Sequence, residues 1–277
     1  ANPMPLEDNL GDYYKNIYRS TGRPHFESPK SPPMPRHRHL GCMSNLSSMV
    51  DLSQVSTILE IGAGWGEMGM LLLEYYPHIS IYAIEPDKHC QDVLSKRGYK
   101  IVESFKDIKG CNAEVVISLH CLEHFSSPMD FVDIYRPYIS PNATILLEVP
   151  NCRFGEGFEQ RTYDSPHLLF FNSESMDKFA ELNNLKIVTM FTTGWDTKES
   201  FVGMSNWKRE YGNWLPGDVK RRTIKDVIKS IIPVRIKNSI RALIGETSIK
   251  IPAHQSRNFS KDNPNLNSLR CILKVKN

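Results

Sequence analysis

Long apolar runs, paired cysteines and a lopsided charge are all missing from this chain. No stretch approaches the ~18–20 apolar residues needed to cross a bilayer, so no transmembrane span is expected. No secretory signal opens the sequence, and a cytoplasmic protein is expected. The six cysteines (Cys42, Cys90, Cys111, Cys121, Cys152 and Cys271) are scattered without a C-x-x-C pair and read as reduced thiols. A net charge of +3 is too small to predict a nucleic-acid partner. What remains is ordinary: 277 residues, 40% hydrophobic and 23% charged, suit one soluble domain with elaborations around a substantial core.

Against this background one segment stands out. Val55-Ser56-Thr57-Ile58-Leu59-Glu60-Ile61-Gly62-Ala63-Gly64-Trp65-Gly66 is a short apolar strand carrying one acid, Glu60, and ending in alternate glycines. Glycines at Gly62, Gly64 and Gly66 let the backbone turn tightly and approach a bound nucleoside without Cβ clashes. The Met- and Leu-rich segment Glu67 to Tyr76 is the helix that this turn opens. Strand, glycine turn and helix make the first half of a nucleotide-binding βαβ unit.

More strands follow. Ile79 to Ile84 ends in Glu85-Pro86-Asp87, where an acid at a strand tip can accept hydrogen bonds from both hydroxyls of a ribose. Tyr99 to Val102 leads to Glu103-Ser104-Phe105, and Ala113 to His120 leads to Cys121-Leu122-Glu123-His124-Phe125. Ala143 to Val149 is a fifth strand, and Leu185 to Thr193 a sixth. A helix is predicted over Asp130 to Ser140, and another over Glu174 to Asn183 with Asn172 or Ser173 as its N-cap.

Together these elements resemble the class I S-adenosylmethionine-dependent methyltransferases. The stretch Leu119-His120-Cys121-Leu122-Glu123-His124-Phe125 is most similar to the small-molecule branch that includes ubiquinone and sugar O-methyltransferases. The resemblance covers residues 55–195 and the last strand. It implies an α/β fold, a doubly wound Rossmann-like seven-stranded sheet with an antiparallel last strand, and S-adenosyl-L-methionine as cofactor. A rival exists, because Gly64-Trp65-Gly66-Glu67-Met68-Gly69 also satisfies G-x-G-x-x-G with Glu85 at a suitable spacing for NAD. Glu60 within the first strand and the Leu-Glu-His segment argue against that dehydrogenase. A non-catalytic cofactor-binding module is a further alternative, opposed at the cofactor level by Glu60, the glycines and Glu85.

The family's cofactor roles carry over by position. Glu60 and the amides of Gly62, Ala63, Gly64 and Gly66 would meet the methionine portion. Glu85 would bind the ribose, with Pro86 and Asp87 beside the adenosine. Ser104 and Phe105 would border the adenine, and Leu119 with His120 would line the floor under the sulfonium. For an acceptor hydroxyl a base is needed, and histidine suits it near neutral pH. His120, His124 and His167 are the candidates. His167 is favoured as base or acceptor ligand, with Asp164 orienting it, and His124 has a competing structural role beside Glu123. No ligand spacing demands a metal, and none is expected. No Asn-Pro-Pro-Tyr or Asp-Pro-Pro-Tyr follows strand four, which disfavours amino-methylation of nucleic-acid bases. A small-molecule or carbohydrate acceptor is expected, O-methylated rather than N- or C-methylated, with a nucleotide- or lipid-linked glycan as the narrower reading.

Domain organisation is expected to run as an N-terminal extension or aromatic flap (1–45), the cofactor domain (46–194), an insertion or lid (195–267) and a final strand (268–277). A short helix is placed over His39 to Met49. The insertion holds Trp195, Phe201, Trp207, Tyr211 and Trp214, a platform for ring stacking or a small satellite core. Residues 220–245 form a basic amphipathic run interrupted by Pro233. It suits a helical hairpin with solvated charges, an oligomer interface, or peripheral contact with the inner, anionic membrane surface.

Overall fold

The computed structural model describes residues 12, 14, 36–102, 111–152, 167–193 and 268–276. Ser104, Phe105, Asp164 and the insertion 195–267 with its basic run lie outside the described residues, as does most of the N-terminal extension.

Seven strands form one sheet: β1 Thr57–Ile61, β2 Ser80–Ile84, β3 Lys100–Ile101, β4 Ala113–Leu119, β5 Ile139–Pro150, β6 Leu185–Thr193 and β7 Ser268–Val275. Their order is β3-β2-β1-β4-β5-β7-β6. The first five are mutually parallel, and β7 runs antiparallel to both β5 and β6, between which it is inserted. This is the doubly wound sheet with an antiparallel last strand that the resemblance implies.

Among the described residues, five helices cover the two faces: α1 Arg36–Ser47, α2 Glu67–Tyr75, α3 Lys88–Lys96, α4 Pro128–Tyr135 and α5 Ser173–Leu182. Alternation along the strands divides the core. Ile58, Ile81, Val115, Ile117, Leu146 and Ile272 pack with α1, α2 and α3 residues such as Met43, Leu72 and Leu94. Leu59, Val116, Leu147 and Leu273 face the other way, toward Phe131, Tyr135, Met176 and Phe179 of α4 and α5. The helix starts are chemically encoded. Asp87 caps α3 by accepting from His89 N at 2.8 Å, and Asn172 with Ser175 forms a reciprocal capping box on α5.

Local chemistry also accounts for departures from the expected boundaries. α4 stops at Tyr135 instead of reaching Ser140: Arg136 keeps helical angles, but Pro137 has no N–H to continue the ladder and its ring crowds the carbonyl one turn back. Arg136–Tyr138 forms a 3-10 turn in its place. β5 begins at Ile139, four residues before Ala143, and its register against β4 shifts between Ala113 and Val115 where Pro141 interrupts it. α1 begins at Arg36 and runs across residue 45, where the N-terminal extension is expected to end. Its Cys42, Met43 and Leu46 are fully buried.

Candidate active site

β1 and β4 are neighbours, with β2 beyond one and β5 beyond the other, so the direction of winding reverses between them. Open α/β sheets bind ligands in the crevice at the carboxyl ends of strands flanking such a reversal. The glycine turn after β1 occupies that edge. Gly62, Gly64 and Gly66 have φ of 68°, 55° and 76°, all in the left-handed region. A Cβ on Gly62 would lie 2.4 Å from Cys121 Sγ, so the turn is pressed against the segment that leaves β4. Ala63 is buried between them.

Two carboxylates brace this turn. Glu60 points to the α2 side of β1 and is 5% exposed. The Tyr99 hydroxyl donates to Gly66 O at 2.8 Å and lies 3.1 Å from Glu60 Oε2. Burial pushes the Glu60 carboxyl up to about 8, with Glu67 and Glu85 adding repulsion against the pull of Tyr99 and the Gly69 amide. A phenol has one proton. Gly66 O and Glu60 Oε2 share it as acceptors. The Gly69 amide belongs to the first turn of α2, whose N-cap, Gly66, has no side chain to offer. Glu60 therefore caps a helix from a neighbouring strand.

Glu85, at the tip of β2, accepts from Gly64 N at 2.7 Å and from Asp87 N at 3.1 Å. Pro86 beside it is exposed, and Leu119 at the end of β4 is half-buried.

Beyond β4 the chain turns at His120, whose φ is 53° and whose amide donates to Glu148 O at 2.7 Å. A 3-10 turn, Leu122–His124, follows. Its Glu123 carbonyl accepts from the amides of Leu168 and Leu169 at 2.8 and 3.0 Å, which pins His167 beside it. Three imidazoles then surround one carboxylate. Glu123 Oε1 lies 3.6 Å from His120 Nδ1, 4.0 Å from His124 Nε2 and 3.8 Å from His167 Nε2. The rings of His124 and His167 meet edge to face with centroids 4.9 Å apart. On the outer side of His124, the Tyr14 hydroxyl is 3.0 Å from Nδ1. Glu123 is 1% exposed, and burial pushes its carboxyl up to about 8.

An ion cluster lies directly behind His120. Glu148 of β5 accepts from Arg38 Nε and from Arg270 Nε, each at 2.6 Å, and its Oε1 lies 3.3 Å from His120 Nε2. Burial alone would raise the Glu148 carboxyl, but Arg270 and Arg38 outweigh it and hold it well below the usual range. His120 is lowered, by burial first and by Arg38 next, against the opposing pull of Glu148. An ionised Glu148 keeps the proton of the neutral imidazole on Nε2, the tautomer in which Nδ1 carries the lone pair.

The sequence-derived histidines are thus brought together, and Glu60, the glycines, Glu85 and Leu119 share the same sheet edge. Sequence reasoning assigned no role to Arg38, Glu148 or Arg270. A signal existed: Glu148 and Arg270 are charged residues within otherwise apolar strands, on the faces that also carry Leu146 and Ile272.

The comparisons with known proteins agree with this architecture. A family model described as "Methyltransferase domain" matches residues 34–190. Among solved structures, a Galdieria sulphuraria protein described as a sarcosine dimethylglycine methyltransferase superposes with a TM-score of 0.52 at 12% identity, over 86% of this chain and 85% of that one. The plantazolicin methyltransferase BpumL, crystallised with a triazolic desmethylPZN analog and SAH, gives 0.50 at 14% identity, over 97% and 95%. Identities this low establish a shared fold. No curated protein sequence matches the chain.

Proposed function

The chain belongs to the methyltransferase-domain family and is an S-adenosylmethionine-dependent methyltransferase of class I, a premise from which we propose that it methylates a hydroxyl of a small-molecule or carbohydrate acceptor. The convergence of His120, His124 and His167 on Glu123, beside the glycine turn, carries this reading.

The residues present fit the cofactor. A turn with three left-handed glycines admits close approach of a ligand, and the Glu85 carboxylate stands at the tip of β2, bonded to the Gly64 amide of that turn. In this reading Glu60 and residues 62–66 hold the methionine portion, Glu85 the ribose, Pro86 and Asp87 the adenosine, and Leu119 with His120 the floor. Ser104 and Phe105 complete the adenine side. The bound cofactor supplies an electrophilic methyl group for in-line displacement. The protein's task is to place the acceptor oxygen at near-attack distance and accept its proton. His120 is the base, through Nδ1, because Glu148 fixes its tautomer. His167 and His124 hold the acceptor side, and Tyr14 contacts His124.

For the acceptor class, the aromatic residues of 195–267 support a glycan or other ring, and the basic run 220–245 supports a lipid-linked substrate met at a membrane surface. A cytoplasmic enzyme acting on no nucleic acid fits the modest charge.

The test is release of S-adenosylhomocysteine with a panel of sugar, nucleotide-sugar and phenolic acceptors, followed by NMR location of the methyl group. His120→Gln is expected to lower kcat, measured at saturating cofactor, by about 10²-fold or more. Methyl groups found only on nitrogen or carbon, or a His120→Gln variant with unchanged kcat, would overturn the reading.

A further inference from the structure

We propose that Glu123, His124 and His167 form a binding site for one divalent transition-metal ion, with open coordination positions facing the acceptor. Each of the three offers one ligand atom, and these atoms all lie within 4.8 Å of one another. A tetrahedral ion bound at ~2.0–2.2 Å to nitrogen and oxygen holds its ligands ~3.3–3.5 Å apart. Glu123 Oε1 is already 3.8 Å from His167 Nε2 and 4.0 Å from His124 Nε2, and no pair of ligand atoms exceeds 4.8 Å, so side-chain shifts of about an ångström or less close the site.

The buried carboxylate supplies the second, independent observation. Both oxygens of Glu123 are sequestered from solvent, and among the described residues no other residue donates a hydrogen bond to either, its own amide being the one nearby donor. Burial of a carboxylate in that condition is costly unless a cation satisfies it. Around it stand ring nitrogens, at distances too long for hydrogen bonds and suited to a shared ion. His124 is oriented for this role. Its Nδ1 engages the Tyr14 hydroxyl at 3.0 Å, which leaves Nε2 on the side of Glu123. Ligating histidines characteristically have their other nitrogen held in that manner. His167 is held through the backbone, by the two amides that follow it on the Glu123 carbonyl.

The donor set selects the ion. Two imidazoles and one carboxylate are poor for magnesium or calcium, which take oxygen ligands, and good for zinc-type ions. Three protein ligands with an open position also describe catalytic rather than structural zinc sites. Resting on the methyl-transfer reading, the consequence is that an acceptor hydroxyl bound to the ion becomes easier to deprotonate, and His120 Nδ1 takes the proton. His124 and His167 are then ligands instead of bases.

The test is made on the untagged full chain, stripped with chelator and titrated with Co²⁺ as a spectroscopic probe and Zn²⁺ as competitor. Expected are one equivalent of Co²⁺ with visible ligand-field absorption, displaced by Zn²⁺. His124→Gln and His167→Gln should each weaken Co²⁺ affinity by about tenfold or more, and His78→Gln, at an exposed site outside the cluster, should not. Should Glu123→Gln fail to fold, His167→Gln carries the test, with unchanged cofactor affinity showing an intact domain. No stoichiometric Co²⁺ uptake by the wild type, or uptake undiminished in both histidine variants, would overturn the site. Methyl transfer to hydroxyls without metal uptake would leave the functional reading standing alone. Metal uptake without transfer to any hydroxyl would do the reverse.

Discussion

Arg270 of β7 donates to Glu148 of β5 at 2.6 Å across the antiparallel pair, in a register that places the two residues directly opposite each other. Arg38 of α1 closes the cluster from above, Asn45 accepts from Arg270 Nη1 at 2.6 Å, and Cys42 donates its thiol to Glu148. The final strand, the fifth strand and the first helix are thereby joined at one buried charge, immediately behind His120.

Removing that charge leaves two guanidinium groups uncompensated. Glu148→Gln is expected to lose ~3–5 kcal/mol, the usual cost of breaking a buried pair from one side, read by urea denaturation. The pH dependence has a definite sign. The folded carboxyl sits below its ordinary 4.5, so the stabilisation is complete above about pH 4.5 and is lost as pH falls through the lower folded value. A variant whose acid-limb stability matches the wild type would contradict this assignment.

Glu60 behaves oppositely. Its carboxyl rises from 4.5 to about 8 on folding, so the native protein holds a proton that the unfolded chain releases across that window. Stability should fall as pH rises from about 5 to 8, and Glu60→Gln should flatten that component of the slope. Denaturation of both proteins at pH 5, 6.5 and 8 checks it.

With the cofactor's ammonium placed beside Glu60 as proposed, binding favours the ionised carboxylate and expels its proton. Calorimetry at pH 6.5 in buffers of different ionisation enthalpy should detect release approaching one proton. Affinity should rise with pH up to about 8, by at most about tenfold per unit. Glu60→Gln should show neither effect.

Gly62→Ala forces an L side chain into φ of 68°, at a cost of ~1–2 kcal/mol, and drives its Cβ to 2.4 Å from Cys121 Sγ. The turn must shift to relieve this. Weaker cofactor binding together with a lower Tm is expected; unchanged affinity would show that the turn does not contact the cofactor.

Asn172→Ala removes the side-chain half of the capping box on α5, the bond from Ser175 N, while its own amide still donates to Ser175 Oγ; the change should cost ~1 kcal/mol, with little effect on cofactor binding because α5 packs against the sheet away from the glycine turn.

Continuous apolar strands were readable as such. Leu185–Thr193 and Ser268–Val275 occur where the residue pattern places them, and the glycine turn sits on the expected edge. Boundaries moved where a proline acted against the pattern, as Pro137 does at the end of α4. The electrostatic centre was not legible for a different reason. Arg38, Glu148 and Arg270 are far apart in sequence, and only insertion of β7 beside β5 makes them neighbours. Glu123 illustrates the same point more narrowly: its place in the His-Cys-Leu-Glu-His run was visible, but its burial among three imidazoles depends on the return of the chain at Leu168 and Leu169.

Because β7 fills the gap between β5 and β6, the ribosome must translate beyond residue 275 before either neighbour finds its partner. Until then a nascent chain displays two unpaired hydrogen-bonding edges, and Glu148 waits without Arg270. Premature termination anywhere in residues 194–267 would therefore yield a polypeptide with nearly the whole first half-sheet and an open seam, a natural substrate for chaperones or for self-association through the vacant slot.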